Sequence, residues 1–311
     1  MTRIPRLPAV TPRRVSPVAA IAALLFVAGP AARAAEPPAF DRSRIDWHHA
    51  ELEAHKLFRS MRVEIAVRRP DPGDVAASLV ADDGHALLAP GEHVAALSYL
   101  TDGLGRRNAI DMLIEPGSGQ VLQRISSESG KRLKYRVYRF GREGALRRTA
   151  RPAQGEEDTA PEAWSDRTQQ WFPFPADRDG APVTESSALV YLVAISKLER
   201  PGDRFEVDVF SSSNETITRI VAEALAPDRV NFDYRLEQPG AGSSERRGRA
   251  EAIRVSIRDA GSGGDDVLEL FGMQNVELLL DPVTRAPLTL QGRVGIFGGV
   301  TFELKRLELR P

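Results

Sequence analysis

Five histidines are the first residues in this chain that could do chemistry, and three of them cluster. His48, Glu51 and His55 stand at i, i+3 and i+7, with His49 beside them. On a helix that spacing would put two imidazoles and a carboxylate on one face. Both groups are ordinary zinc ligands, so this is the best metal candidate in the sequence. The spacing is not that of a known zinc helix, however, and a solvated N-terminal arm accounts for the same residues. The expectation is therefore no metal and no cofactor.

Nucleophilic and acid–base chemistry has weaker support. Gly117-Ser118-Gly119 and Gly242-Ser243-Ser244 lie in turn-like stretches, not at a strand-to-helix elbow. A nucleophilic serine also needs a base and an orienting acid within reach, and none of the histidines has a context that supplies one. Asp82-Asp83-Gly84 and Asp265-Asp266 could act as carboxylate pairs, but each adjoins glycine, where aspartate favours turns. Gly261-Ser262-Gly263-Gly264 lacks the Lys-Ser/Thr that completes a phosphate loop and reads as a hairpin tip. The protein is expected not to be an enzyme, with a hydrolase as the remote alternative.

Aromatics supply the binding candidates. Trp164, Trp171, Phe172 and Phe174 sit with several prolines in an otherwise polar, acidic stretch, 151–182. They could form a flap over an apolar groove. The blander alternative makes them a hydrophobic plug that closes one end of the fold.

The elements that must position these residues are strands. Met61, Val63, Ile65 and Val67 alternate with Arg62, Glu64 and Arg68, and Leu133, Tyr135 and Val137 with Arg132, Lys134 and Arg136. The same period recurs over 205–209, 229–237 and 253–258. Each such strand has a dry face and a wet face, as in antiparallel sheets covered on one side. Val300, Phe302 and Leu304 share one parity and Leu307 and Leu309 the other, which predicts a β-bulge near Lys305-Arg306. Residues 185–195 are the one internal helical candidate, with Ser186 or Ser187 as its cap, although their β-branched content suits a strand nearly as well. Residues 46–55 read as a short helix or ordered arm. Residues 239–248 and 260–266 read as hairpin loops.

One phrase occurs twice. Val276-Glu277-Leu278-Leu279-Leu280-Asp281-Pro282-Val283-Thr284 and Ile110-Asp111-Met112-Leu113-Ile114-Glu115-Pro116-Gly117-Ser118 are each an apolar strand followed by an acidic-Pro-x-Ser/Thr turn. A second strand follows each. Proline presets such a turn and the hydroxyl can bond local backbone. The pattern predicts a meander of two similar halves. The expected fold class is all-β, mainly antiparallel: a curved open-barrel or half-barrel sheet with one or two short helices.

Composition bounds the rest. The chain has 311 residues, 27% of them charged, and a formal charge of −1. The first 34 residues carry Arg3, Arg6, Arg13, Arg14 and Arg33 and no acid, so the remainder stands at −6. That balance argues against nucleic acid as a partner. Basic residues, an apolar run from Val18 to Gly29, and Ala32-Arg33-Ala34 read as a signal peptide over 1–34, cleaved before Ala35, with no membrane span left afterwards. Periplasmic localisation is expected. There is no cysteine, hence no disulfide or thiolate site. The expected organisation is an arm at 35–56, a first β half at 57–150, the acidic aromatic loop at 151–182, and a second β half at 183–311, the halves forming one continuous domain.

The run Glu277–Leu309, with Leu280-Asp281-Pro282-x-Thr284-x-x-Pro287-Leu288 and then Gly292-x-x-Gly295-x-x-Gly298, resembles exported bacterial proteins of domain-of-unknown-function family 3108. Leu189-Val190-Tyr191-Leu192 followed by Pro201-Gly202-Asp203, and Lys134 to Phe140, extend the resemblance over roughly residues 57–309. The strand-Asp-Pro-x-Thr-strand phrase is also similar to periplasmic lipoprotein carriers and related open-barrel sensors. The resemblance implies an unclosed barrel around a hydrophobic cavity and brings no catalytic residues. The expected function is a non-enzymatic periplasmic binding or carrier protein for a lipid or other apolar ligand. The alternative is a structural or interaction module in cell-envelope assembly that docks an envelope protein.

Overall fold

The computed structural model describes residues 40–311, apart from 57–58, 83, 104, 131–132, 179, 262–269 and 296–297. The signal-peptide reading of 1–34 lies outside the described residues, as do Asp83, Ser262-Gly263-Gly264 and the pair Asp265-Asp266.

The fold is all-β. Strands β1 (Trp47–Lys56), β2 (Arg59–Arg68), β3 (Ala95–Gly103), β4 (Arg106–Glu115), β5 (Gln120–Ser129), β6 (Lys134–Phe140), β7 (Gly144–Arg151) and β8 (Asp166–Pro173) form an antiparallel meander. The second series is β9 (Val183–Glu185), β10 (Arg204–Ser211), β11 (Thr216–Ala224), β12 (Asp228–Gln238), β13 (Gly242–Asp259), β14 (Gln274–Leu280), β15 (Pro287–Val294) and β16 (Gly298–Leu309). Pairing of β1 with β16 fuses the two into one curved sheet that runs from β8 through β1 and β16 to β9. β12 leaves that path and pairs with β13 and, in parallel, with β16. The helices are α1 (Pro72–Ser78) and α2 (Leu189–Ile195).

Alternation set the inner faces as expected over most of the sheet. Met61, Val63, Ile65 and Val67 are buried, while Arg62 and Glu64 pair with each other on the outside. The bulge near Lys305 is present: Glu51 opposes Arg306 and Leu52 opposes Leu304, so Lys305 is the extra residue and the inward set resumes at Leu307.

Several expectations are corrected. Residues 46–55 are neither helix nor arm. Residues 47–55 belong to β1, which gains a ladder on each side, from β2 and β16, so backbone pairing outweighs the helical spacing of the histidines. The acidic stretch 151–182 contains β8, paired with β7 from Gly144↔Pro173 to Arg151↔Asp166. Residues 242–248 are not loop but the exposed start of β13, laddered to β12. Neither Ser186 nor Ser187 caps the helical segment with its side chain. The Glu185 carboxylate accepts from the Ser187 amide at 2.8 Å instead.

The barrel interior is plugged at one end by α2. All of its seven residues are buried, and a helix apolar all round belongs in a core. So short a helix has no stability of its own. Its polar ends are held by the two similar turns. After the Glu115-Pro116 turn, the Gln120 side chain accepts from the Val183 amide at 2.9 Å and donates to its carbonyl at 3.0 Å, fixing the strand that leads into α2. Gly119 in that turn has φ +73, and a Cβ there would meet Leu192 and Phe40, so only glycine fits under the helix.

After the Asp281-Pro282 turn, Arg285 takes the other end. Asp281 Oδ1 accepts from the Val283 and Thr284 amides at 2.9 and 2.7 Å, and Arg285 is driven to a left-handed φ of 58. Its guanidinium then donates to the carbonyls of Val193, Ala194, Ser196 and Leu198 at 2.9–3.1 Å. The Asp41 amide takes the Ile195 carbonyl at 2.9 Å. These are the carbonyls a helix end leaves without partners, and a cation also complements its dipole. Arg285 is only 3% exposed, and burial pushes its guanidinium down to about 10, so it stays protonated at neutral pH.

Among the described residues no ladder joins β5 to β9; the Gln120 bonds and the Arg124–Glu185 ion pair make that closure. Past β5 the sheet laps over β10. Tyr138 donates to the Ser212 carbonyl at 3.2 Å, and Phe140, Phe172 and Phe174 surround Phe210. Trp171 stacks on His85 with ring centroids 4.0 Å apart and covers Gly144, where any side chain would collide with the indole, and Gly141, where one would first meet the Ala86 carbonyl.

Two stability measurements check this account. Urea unfolding of Arg285→Ala, followed by tryptophan fluorescence, is expected to show a loss of at least about 3 kcal/mol, because several buried carbonyls lose a charged donor. Arg285→Lys should restore less than half of it, since an ammonium cannot fan out to the same carbonyls. A change below about 0.5 kcal/mol would remove Arg285 from its supporting role. Trp171→Ala should cost about 3 kcal/mol, the lower end for an aromatic truncation, because the indole is half-buried.

Candidate functional site

The plug fills only part of the barrel. Seven helical residues span about 10 Å, whereas the ten residues of β4 span roughly 33 Å. The interior beyond α2 is a cavity of about 1590 Å³ at the end marked by Gly103, Gly130 and Gly272. That exceeds the range of about 300–1,000 Å³ usual for small-molecule sites.

Its walls differ. Met61 and Val63 of β2, Ile110 of β4, Phe302 of β16 and Phe271 before β14 make an apolar side. β5 and β6 bring Arg124, Glu128, Lys134 and Arg136 to the lining, and Arg151 of β7 joins them. Register explains the grouping. Arg124 lies beside Tyr138, Ser126 beside Arg136, and Glu128 beside Lys134, so all three rows share one face. Over the whole lining, Arg106, Arg107, Arg124, Lys134, Arg136 and Arg151 outnumber Asp102, Glu128 and Glu157, while Arg62 borders it with its charge taken by Glu51 and Glu64 on the outer side. Arg136 pairs with Glu128 at 3.3 Å, while among the described residues Lys134 makes no ion pair. Burial, then the charges of Arg136 and Arg151, hold the Lys134 ammonium below its usual range.

This basic wall inverts the sequence reading of β6. Leu133, Tyr135 and Val137 were expected on the dry inner face and Lys134 and Arg136 in water. The structure turns Lys134, Arg136, Tyr138 and Phe140 inward. Val137 is buried on the other face, where α1 and the segment after it cover β5 and β6. There Arg139 donates to the carbonyls of Leu122 and Leu88, and burial pushes its guanidinium down to about 10. With both faces covered, alternation alone does not tell inside from outside.

Between plug and cavity lies a polar layer. Glu185, wholly buried, accepts from Ser187 N at 2.8 Å, Ser212 Oγ at 3.0 Å and Ser186 Oγ at 3.2 Å, and lies 3.2 Å from Arg124 Nε. Arg124 Nε and Nη1, Ser126 Oγ and the Tyr99 hydroxyl are buried and make no hydrogen bond. Burial, then the neighbouring Glu185 and Tyr191, pushes the Tyr99 phenol well up, so it is protonated across the ordinary pH range.

The residues chosen from sequence lie elsewhere. None of Trp164, Trp171, Phe172 and Phe174 lines the cavity. Trp164 is buried and donates to the Glu156 carbonyl at 3.1 Å, inside the loop it pins. Phe172 and Phe174 pack on Phe210 beneath Arg147 and Arg178. β1 spreads His48, Glu51 and His55 along the strand and does not bring them together, with His48 at the bulge between Trp47 and His49. His48 lies 3.4 Å from Glu308, Glu51 pairs with Arg62, and His55 bonds Ser60 at 3.0 Å. Among the described residues no group of three His, Asp or Glu is placed to hold a metal ion. Ser118 sits in the β4–β5 turn and Ser243 and Ser244 on the exposed start of β13. No described helix is long and apolar enough to cross a membrane.

No protein-family model matches this chain, so membership in family 3108 gains no support there, and no curated protein matches it. Among solved structures, the chain is similar to the crystal structure of a beta-barrel-like protein of domain of unknown function DUF1849 from Brucella abortus. The two are 9% identical, the match covers 86% of this chain and 99% of that one, and the TM-score is 0.42. A likeness of that degree carries no functional argument; the barrel description stands on the strand register itself.

Proposed function

We propose that the protein is a non-enzymatic binding or carrier protein whose cavity shelters a ligand with a substantial apolar part. The observation that carries this reading is the two-walled cavity beyond the short plug. Apolar area placed against Met61, Val63, Ile110, Phe271 and Phe302 gains about 25 cal/mol per Å² removed from water. The signal-like N-terminus supports an exported, periplasmic setting. The similarity of the Asp281-Pro282 phrase to periplasmic lipoprotein carriers supports a lipid as the cargo.

A second reading, strand addition by an envelope protein, has one observation in its favour. β8 ends the sheet, and among the described residues it pairs only with β7. Its first five residues, Asp166–Gln170, are exposed, but Asp166 and Arg167 place charge on that edge, a device that blunts pairing. The cavity reading is therefore the stronger.

Native mass spectrometry of protein purified without detergent is expected to show a mass excess matching a lipid or fatty acid. A clean apo mass, unchanged after incubation with envelope lipids, would sink the carrier reading and turn the search to β8 and its partners. A second check fills the cavity. Thr101 is on the cavity lining and only half-buried, so Thr101→Trp should lower ligand uptake by about tenfold or more. It should also leave the melting temperature within about 4 °C of wild type. Leu97→Trp, on the same strand but in the packed region, should instead destabilise by about 1–3 kcal/mol.

A further inference from the structure

The polar layer above the plug contains donors with nothing to donate to. Buried polar groups are nearly always hydrogen-bonded, and an orphan calls for a physical reason. Arg124 is the sharpest case. It is 5% exposed, it lines the cavity, and neither Nε nor Nη1 makes a hydrogen bond. Its neighbour Glu185 balances the charge as an ion pair but leaves those two nitrogens without a hydrogen-bond acceptor. That carboxylate already takes Ser187 N, Ser186 Oγ and Ser212 Oγ, and its 3.2 Å approach to Nε lacks hydrogen-bond geometry.

Two residues along β5, on the same face, Ser126 Oγ is also buried and unpaired. The register runs from Ser126 through Ile110 to Tyr99, whose hydroxyl is the next orphan in the row. A guanidinium and two hydroxyls without acceptors are donors waiting for oxygens. The surrounding lining is basic on balance, since Lys134, Arg136 and Arg151 stand on the adjoining strands against Glu128 and Glu157, and Glu185 offsets Arg124 itself. A purely apolar ligand would use none of this and would leave the orphans buried.

We propose that the cavity recognises an acidic oxygen headgroup, a carboxylate or a phosphate monoester, with Arg124 on the lining as its main donor, Ser126 set just behind it, and the apolar wall taking the attached chain. The headgroup lies against β5 and the hydrocarbon against β2, β4 and β16. An ion-paired or hydrogen-bonded oxyanion in a desolvated site is held far more strongly than in water, so the headgroup sets selectivity and the chain supplies bulk affinity. This inference rests on the carrier reading and adds the chemistry of the headgroup to it.

The test titrates the delipidated full chain with three ligands of one chain length: hexadecanoate, hexadecyl phosphate and hexadecan-1-ol. Wild type is expected to bind one or both acids at least about tenfold more tightly than the alcohol, and the stronger acid names the headgroup. Arg124→Met should bring the acids down to the level of the alcohol while alcohol binding persists. Ser126→Ala should move them part of the way. Because Arg124→Met strands Glu185, the double variant Arg124→Met/Glu185→Gln removes both charges at similar volume and serves where the single variant fails to fold. Equal binding of acids and alcohol by wild type, unchanged in the double variant, would overturn the headgroup assignment, leave the carrier reading standing and assign the orphan donors to water. Absence of binding for all three ligands, and for envelope phospholipids, would overturn both.

Discussion

The interior of this protein is organised by the contact between Arg285 and the end of the plug helix. A seven-residue helix of Val, Leu, Ile, Ala and Tyr carries no directional information on its surface, since every side of it is apolar. Only its polar ends can say where it belongs. Gln120 holds the strand that leads into it, and Arg285 gathers the carbonyls that leave it. Each of these residues follows an acidic-Pro turn, so the repeated phrase is a pair of clamps on one buried element. By setting the depth of the plug, the clamps also set how much of the barrel stays unfilled.

That division shapes the chemistry of the inner surface. Rows near the plug are mostly apolar, with Leu97, Met112 and Phe140 packed and Arg124 the charged member of the Leu97–Met112 row. Moving along the same strands, the inward positions become Thr101, Asn108, Ser126, Glu128 and Lys134. The change runs along the barrel axis, and it coincides with the level at which helix packing stops. The strands thus contribute core at one end and a mixed, cationic lining at the other.

Much of the architecture was legible because alternation and turn chemistry are local. The strands over 61–67 and 253–258, the two acidic-Pro hairpins and the bulge at Lys305 all follow from side-chain parity and proline. The cavity was not legible, for a definable reason. Lys134 and Arg136 look like a wet face, but β5 and β6 are covered on both sides, so parity separates two buried faces instead of core from solvent. β8 was hidden for the opposite reason: Asp166–Gln170 is exposed on both faces and shows no alternation. The aromatic cluster stood out by composition, yet composition does not distinguish a lid from rings packed on Phe210. The orphan donors near Arg124 have no sequence signature, because they depend on which partners Glu185 has already taken.

The closure of the ring at β5 and β9 has a mechanical consequence. In a barrel sealed by ladders, strand number and stagger fix the circumference, and any widening must break cooperative rows of backbone bonds. Here the seam is held by side chains, the Gln120 amide and the Arg124–Glu185 pair, with the β6–β8 flap lying across it like an overlapping cuff. Sliding at the seam would sacrifice these side-chain contacts and little of the surrounding ladder. The girth of this vessel is thus adjustable along one line, and the amide of Val183 marks where that line would first be seen to give.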